Sequence, residues 1–160
     1  MADAYIGLGS NLGDRFANLA AARDAIGKDA GKITALSAIY DTDPWGPVKQ
    51  DNYLNQALRI DAVGRPRDLL EVLLRIERAL GRDRKNEERY GPRVIDLDIL
   101  YGDQAVNEPD LVIPHPRLAE RAFALVPLAE IAPRLAIGGT PIRELVSRID
   151  SSGVRRYDPF

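Results

Sequence analysis

The alternation of apolar and polar residues predicts four strands with two helices between them. Runs rich in apolar and β-branched residues predict the strands, which are Asp3–Leu8, Ile33–Thr42, Tyr53–Ile60 and Val94–Tyr101. Apolar residues spaced three and four positions apart predict one helix capped by Asp14 and a second that begins at Pro66 and is closed by Gly81. The order β-α-β-β-α-β is typical of the ferredoxin-like fold, an α+β arrangement with helices on one face of an antiparallel sheet.

Beyond this core, the pattern predicts a small C-terminal extension. We expect a hairpin over residues 102–113, a helical segment over 118–131 and a last helix over 142–149. The sequence contains no internal repeat, no linker and no low-complexity tract. Residues 1–160 are therefore predicted to form a single domain.

Composition removes several kinds of chemistry. The chain has no cysteine and a single histidine, His115, which excludes disulfides, thiolate zinc sites, cysteine nucleophiles and the HExxH zinc motif. A formal net charge of −2 argues against a broad nucleic-acid-binding surface. The first residues lack a basic segment followed by an apolar one, and no apolar run approaches ~18 residues. We therefore expect a cytoplasmic protein that binds neither nucleic acid nor membrane.

A glycine-rich segment, Gly7–Gly13, closes the first strand and invites comparison with a dinucleotide-binding turn. The GxGxxG pattern fails because leucine stands at position 12. A clean β-α-β unit with an acidic residue ~20 positions further on is also missing. A tight turn from strand to helix is the favoured interpretation.

Asp96 and Asp98 interrupt the last predicted core strand. Alternate residues of a strand share a face, so both carboxylates should point the same way, with Cα atoms ~6.5–7 Å apart. This spacing allows the pair to hold one Mg²⁺, or two ions bridged by substrate oxygens. For two aspartates alone, the alternative of a solvated strand face stays open.

Cations precede this acidic pair in the sequence. Five of them fall within residues 82–93, and they are Arg82, Arg84, Lys85, Arg89 and Arg93. A charge run is most often a solvated loop. Beside a metal-binding carboxylate pair, however, arginines favour a polyphosphate site, because they bind the phosphate oxygens that the metal leaves uncovered. No GxxxxGK[ST] motif occurs, so a P-loop is excluded.

The segment Arg89–Leu100 resembles the signature of the 6-hydroxymethyl-7,8-dihydropterin pyrophosphokinases, enzymes of the folate pathway. The other motifs of that family follow in order, and they are Tyr5–Leu12, Tyr53–Asn55, Gly81–Arg84, Pro114–His115 and Arg121–Phe123. The resemblance covers nearly the whole chain. It implies a ferredoxin-like core, two Mg²⁺ ions, ATP as co-substrate, transfer of pyrophosphate to 6-hydroxymethyl-7,8-dihydropterin, and AMP as leaving group. We expect a monomer.

The resemblance also implies roles for individual residues. The catalytic set is Arg82, Arg93, Asp96 and Asp98, with Asp96 and Asp98 as the magnesium ligands. The ATP-binding set is Glu77, Arg84, Tyr90, Ile99, His115 and Arg121. The set that binds the pterin substrate is Thr42, Pro44, Trp45, Tyr53, Asn55 and Phe123. Four positions depart from residues found in the family and bear on adenosine binding, and they are Tyr90, Asp110, Val112 and Pro116.

Two other functions stay open at this point. One is metal-dependent phosphotransfer to a different acceptor, against which the set Tyr53, Asn55 and Phe123 argues. The other is an RNA-binding module of ferredoxin-like fold. The acidic balance and the paired aspartates argue against it, because carboxylates without metal repel phosphate.

Two loops are predicted to form a lid. The segments Asp43–Asp51 and Arg82–Pro92 are polar and contain glycine and proline, so their local stability should be low. Phosphotransfer requires exclusion of water. We therefore expect both loops to be mobile without ligand and ordered when nucleotide and pterin are bound.

Overall fold

A computed structural model describes residues 2–158, and its element order contains the predicted core. The strands are β1 Ala2–Ser10, β2 Gly31–Leu36, β3 Tyr40–Thr42, β4 Tyr53–Ala62, β5 Asp96–Gly102, β6 Val106–Glu108, β7 Leu111–Ile113, β8 Ala136–Ile137, β9 Thr140–Pro141 and β10 Val154–Arg156. The helices are α1 Arg15–Asp29, α2 Pro66–Ala79, α3 Ala122–Ile131 and α4 Ile142–Arg148, with 3₁₀ turns at Arg84–Asn86 and Leu118–Glu120.

The main sheet is antiparallel and has the strand order β10-β3-β4-β1-β5, with β2 also paired to β4. The prediction of one strand over Ile33–Thr42 is wrong, because β2 and β3 pair with opposite halves of β4. Ser37 separates them: its hydroxyl accepts from the Ala57 N–H at 2.9 Å and donates to the Ala38 carbonyl at 2.7 Å. The β8–β9 hairpin and β10 were not predicted from the sequence.

Helices cover both faces of this sheet. One face packs on α1 and α2, where Leu19, Ile26 and Leu73 join Ile6 and Leu58 of the sheet in the larger core. The prediction of helices on one face of the sheet is therefore incomplete. A second core forms on the opposite face, and its members include Tyr5, Leu100, Leu125, Leu128 and Ile142. This second core covers only part of its face, and the rest stays accessible.

Local signals determine where the helices begin and end. The Asp14 side chain accepts from the Ala17 N–H at 3.0 Å and caps α1, as predicted. Gly81 follows the end of α2 with φ 101°, a left-handed conformation that glycine adopts without strain. The helical segment predicted over 118–131 is broken at Arg121, whose backbone is extended. No helix within residues 2–158 has the length and apolarity needed to span a membrane.

Candidate active site

The uncovered part of the α3 face is the floor of a cleft of about 260 Å³. Strand β1 lies between β4 and β5, so Gly9 pairs with Asn55 on one side and with Asp96 on the other. Gly7 pairs with Asp98 in the same way. A Cβ on Gly9 would lie 2.8 Å from the Asn55 Nδ2 atom, which no ordinary contact permits. Gly7 and Gly9 line a small pocket of about 20 Å³ that shares Asn55, Asp96 and Phe123 with the cleft. These glycines therefore form a flat floor beneath the shared side chains rather than a turn around a dinucleotide.

The structure brings most of the predicted site residues together around this floor. Twelve of the sixteen line the cleft, and they are Thr42, Trp45, Tyr53, Asn55, Arg82, Tyr90, Arg93, Asp96, Asp98, His115, Arg121 and Phe123. Three further lining residues had no assigned role, although they lie in the two predicted loops, and they are Asp43, Arg89 and Gly91. The cleft thus lies between the two predicted loops, strands β4 and β5, and the start of α3.

The other four predicted residues lie outside the cleft lining. Pro44 lines a separate groove, to which Trp45 and Phe123 also contribute. Ile99 is buried in the larger core, so a contact with nucleotide could come only from its backbone. Glu77 is buried and pairs with Arg82 at 2.6 Å and with the exposed Arg84 at 2.7 Å.

Three of the positions that differ from residues found in the family are also absent from the lining of the cleft, and they are Asp110, Val112 and Pro116. Asp110 and Val112 belong to the β6–β7 hairpin. There Asp110 pairs with Arg67 of α2 at 2.8 Å. The Asp110 side chain is therefore engaged in a contact with α2.

The two aspartates lie on the cleft face of β5, as predicted, and differ in their surroundings. Asp96 Oδ1 accepts from Arg82 Nη1 at 2.9 Å. Burial and the neighbouring Asp96 charge raise the pKa of Asp98 well above its usual range. Among residues 2–158, no group of three or more acidic, histidine or cysteine side chains is placed to hold a metal ion. Carboxylate oxygens are ligands that Mg²⁺ prefers, so the metal role of the pair stays a prediction.

Arg82 lies at the centre of a buried network of three carboxylates. Its side chain is only 5% exposed. Its Nη1 donates to Glu77 at 2.6 Å and to Asp96 at 2.9 Å, while its Nε donates to Glu87 at 2.8 Å. Burial by itself would lower the pKa of Arg82, but Glu87, Asp96 and Glu77 together raise it. Arg82 stays charged and is held beside the acidic pair.

Glu77 is the innermost member of this network, with a side chain that is 1% exposed. Besides the bond from Arg82, it accepts from Arg84 Nη2 at 2.7 Å and from the Leu97 N–H at 2.8 Å. Burial raises the pKa of Glu77, and these donors offset part of the rise. Its position on the apolar face of α2 is therefore explained by a counter-ion role toward two arginines.

Asn11, which the sequence reasoning missed, fixes the chain around the cleft. Its Oδ1 accepts from the Arg93 N–H at 2.8 Å, and its own N–H donates to the Arg93 carbonyl at 3.0 Å. Its Nδ2 donates to Gln50 Oε1 at 2.8 Å. This buried side chain thus connects β1, the first loop and the segment before β5. The only signal in the sequence was its place in the motif Tyr5–Leu12.

The two predicted loops touch each other over the cleft. Gln50 Nε2 of the first loop donates to the Tyr90 carbonyl of the second at 2.6 Å. The Tyr53 hydroxyl, at the start of β4, donates to the Gly91 carbonyl at 2.9 Å. The rings of Trp45 and Tyr90 meet edge to face with centroids 5.2 Å apart. The loops are therefore placed to act as a lid, and their mobility stays a prediction.

Two arginines stack on the aromatic rings of this lid. Arg121 lies 4.8 Å from the Trp45 centroid and 5.6 Å from the Phe123 centroid. Its Nε is buried and has no hydrogen-bond partner within residues 2–158. Arg117, which the sequence reasoning missed, lies 5.5 Å from the Trp45 centroid and 5.7 Å from that of Tyr90. Arg117 thus bridges one ring from each loop by cation–π contacts.

Asn55 and Tyr53 share one face of β4, as their spacing predicted, and both are held in place. Asn55 accepts from the Thr42 hydroxyl at 2.6 Å and donates to the Leu8 carbonyl at 3.3 Å. Burial, with a smaller contribution from Asp96, raises the pKa of Tyr53 to about 12, so its phenol stays protonated. An amide with a fixed orientation next to aromatic rings can recognise a flat heterocycle by its polar edge.

His115 is neutral in this cleft. Burial, followed by the Arg121 charge, lowers its pKa to about 4. Its Nδ1 accepts from the Arg117 N–H at 3.2 Å, which places the remaining proton on Nε2. His115 can therefore donate a hydrogen bond without carrying a charge.

Comparisons with known proteins agree on one family. The family described as 7,8-dihydro-6-hydroxymethylpterin-pyrophosphokinase (HPPK) matches residues 5–133. The 2-amino-4-hydroxy-6-hydroxymethyldihydropteridine pyrophosphokinase of Methylorubrum extorquens is 51% identical over 160 residues, which cover 99% of this chain and 100% of that protein. The protein of the same name from Bacillus subtilis is 42% identical over 154 residues, which cover 95% of this chain and 88% of that protein.

Solved structures agree on the fold. The crystal structure of wild-type HPPK-DHPS from Plasmodium falciparum has a TM-score of 0.73 at 17% identity, and the match covers 98% of this chain. It covers 47% of the Plasmodium chain, so the present chain spans about half the length of that protein. This likeness confirms the predicted ferredoxin-like fold.

The family match also confirms the resemblance on which the site roles were based. Residues 5–133 include every residue that lines the cleft. The chain belongs to the 7,8-dihydro-6-hydroxymethylpterin-pyrophosphokinase family.

Proposed function

We propose that Arg82, Arg93, Asp96 and Asp98 are the catalytic groups with which this chain transfers pyrophosphate from ATP to 6-hydroxymethyl-7,8-dihydropterin. The products are the pterin diphosphate and AMP, and the reaction belongs to folate biosynthesis. One observation carries the assignment of the site. In a chain of this family, the carboxylate pair and the two arginines line the same cleft as the amide of Asn55 and its neighbouring aromatic rings.

The phosphate end of the site is the edge of β5. In the reaction, the hydroxymethyl oxygen attacks the β-phosphorus and AMP leaves. Asp96 and Asp98 would hold two Mg²⁺ ions, which supply positive charge to the phosphate oxygens when bound. Arg82 and Arg93 stabilise the charge that develops in the transition state.

The pterin end of the site is the face of β4. The Asn55 amide reads the polar edge of the heterocycle, while Tyr53 and Phe123 provide flat surfaces. Trp45 covers the ligand from the lid, and Thr42 orients the amide by its hydrogen bond. The short distance across β1 brings this end next to the phosphates.

The nucleotide is bound by groups around α3 and the second loop. His115 donates from Nε2 to a phosphate oxygen, and Arg121 adds a charge next to it. Tyr90 contributes from the lid. Arg84 contacts phosphate from its exposed position, and Glu77 acts through Arg82 and Arg84 without touching nucleotide.

The nucleotide product tests this function directly. The protein is incubated with ATP, Mg²⁺ and 6-hydroxymethyl-7,8-dihydropterin, and the nucleotides are separated by chromatography. We expect AMP in step with loss of the pterin, and no turnover after chelation with EDTA. ADP in place of AMP would contradict pyrophosphate transfer, and activity with other acceptors only would favour a different phosphotransferase. RNA binding that survives EDTA would favour the binding module.

The remaining expectations stay predictions. They are the monomeric state, the cytoplasmic location, the absence of nucleic-acid and membrane partners, and a single domain over residues 1–160. Size-exclusion chromatography with light scattering would test the monomeric state.

A further inference from the structure

We propose that Glu87 is a positioning residue that holds the guanidinium groups of Arg82 and Arg93 side by side at the carboxylate pair. The proposal rests on the proposed function, since it concerns how the two catalytic arginines are arranged. It assigns Glu87 no contact with substrate.

The geometry of one carboxylate between two guanidinium groups carries the proposal. Glu87 accepts from Arg82 through both of its oxygens, with Nε to Oε2 at 2.8 Å and Nη2 to Oε1 at 3.0 Å. The Nε of Arg93 lies 3.2 Å from the same Oε1. The Glu87 side chain is 15% exposed, so solvent screens these ion pairs only in part.

Each arginine depends on Glu87 in a different way. Arg82 also contacts Glu77 and Asp96, which hold its Nη1 end. Within residues 2–158, Glu87 alone engages the Nε edge of Arg82, through a fork of two hydrogen bonds that fixes the plane of the guanidinium.

Arg93 has fewer anchors. Its other side-chain hydrogen bonds within residues 2–158 run from Nη1 to the carbonyls of Gly91 and Pro92, in its own loop. Within the same range, Glu87 is the only carboxylate that pairs with Arg93.

Loss of the Glu87 charge should therefore disturb the orientation of the two guanidinium groups rather than remove their positive charge. Without a carboxylate between them, the two guanidinium groups repel each other, and the Arg93 side chain keeps only its hydrogen bonds to the carbonyls of Gly91 and Pro92. Transition-state stabilisation depends on donors that are already oriented when charge develops. Loss of the Glu87 charge should therefore lower kcat more than it weakens the binding of ATP.

The chain offers a matched control in Glu88. It is the next residue in the same loop, has the same side chain and is exposed. No side-chain hydrogen bond or ion pair of Glu88 occurs within residues 2–158, although its carbonyl accepts from the Gly91 N–H at 2.9 Å. Glu88→Gln removes the same charge without touching either arginine.

The experiment compares wild type, Glu87→Gln and Glu88→Gln in steady-state assays of AMP formation. We expect Glu87→Gln to lower kcat by about 10- to 100-fold, as for other residues that orient a functional group. The KM for ATP should change by less than about threefold, and Glu88→Gln should keep kcat within about twofold of wild type. In an Arg82→Ala background, Glu87→Gln should cause a smaller loss than in wild type, because part of its effect acts through Arg82.

Several results would overturn the proposal. An unchanged or raised kcat for Glu87→Gln means that the clamp is unnecessary or inhibitory. Equal losses for Glu87→Gln and Glu88→Gln mean that only the loop charge matters. A loss confined to the KM for ATP would make Glu87 a binding residue.

Two controls keep the experiment decisive. If Glu87→Gln does not fold by circular dichroism, Glu87→Asp replaces it, since this shorter carboxylate cannot span both guanidinium groups. A wild-type kcat for a folded Glu87→Asp variant then overturns the proposal. If the wild-type protein forms no AMP, the proposed function itself is refuted. If the wild type is active and Glu87→Gln is equally active, only the role of Glu87 is refuted.

Discussion

Gly9→Ala tests the idea that a side-chain-free floor makes room for the pterin. The new Cβ would lie 2.8 Å from Asn55 Nδ2 and 3.4 Å from Tyr53 Cδ1. Asn55 cannot swing away freely, because it is buried and bonded to the Thr42 hydroxyl at 2.6 Å and to the Leu8 carbonyl at 3.3 Å. Either the strands separate slightly or the amide loses one of these bonds.

The size of the effect follows from these contacts. Overpacking of a tight site costs about 1–3 kcal/mol, and loss of one hydrogen bond costs about 0.5–1.5 kcal/mol. We expect Gly9→Ala to lower the free energy of unfolding by about 1–2 kcal/mol. The Kd for the pterin should rise roughly tenfold, since 1.4 kcal/mol corresponds to a factor of ten. The Kd for ATP should change little, because the groups proposed to bind the nucleotide lie around α3 and the second loop.

Calorimetric titrations with each ligand and urea denaturation measure these quantities. Gly27→Ala in α1 is a useful control, because its Cβ would lie 3.7 Å from Ile33 Cδ1, an ordinary contact. That variant should gain about 0.5–1 kcal/mol of stability and keep both affinities. Wild-type pterin affinity in Gly9→Ala would refute the argument about the floor. Equal weakening of both ligands would show a general loss of structure instead.

Further variants test the charges and the lid. Asp98→Ala should raise the barrier by about 3–4 kcal/mol, seen as a roughly 10²- to 10³-fold lower kcat, and near-wild-type turnover would contradict a role as metal ligand. The pKa of His115 is lowered to about 4 in the folded protein, against ~6.5 when unfolded, so its contribution to stability is complete above pH 6.5 and is lost as pH falls toward 4. As pH falls over this range, the free energy of unfolding of the wild type should decrease by up to about 3 kcal/mol more than that of His115→Gln. The same pH dependence for both proteins in urea titrations would exclude this linkage. Arg117→Gln should alter the fluorescence of Trp45, the sole tryptophan, because a cation–π contact of about 0.5–2 kcal/mol is lost, whereas an unchanged spectrum would show that Arg117 does not hold the lid.

Local patterns in the sequence determined the elements and the direction of the key side chains. The period of two placed Asp96 and Asp98 on one face of a strand, and Asn55 with Tyr53 on one face of another. Asp14 and Gly81 marked helix ends because capping depends on neighbouring backbone groups. Such features involve residues a few positions apart, so the sequence alone was sufficient for them.

Contacts between distant parts of the chain decided the remaining features of the fold and of the candidate site. Only the place of β1 between β4 and β5 makes Gly9 the floor between Asn55 and Asp96. The roles of Asn11 and Arg117 follow from partners tens of residues away. No local period encodes such pairs, since they depend on strand order and packing.

The network around Arg82 also could not be predicted from local patterns, although its members lie closer together in the sequence. The sequence indicated cations before the acidic pair, but it did not show that Glu77, Glu87 and Asp96 converge on one guanidinium. That convergence requires the end of α2, the second loop and the first residue of β5 to meet in space. Burial then makes the ion pairs specific, because desolvated charges require defined partners. The sequence alone determined which charged residues were available, and the tertiary structure decided which of them pair.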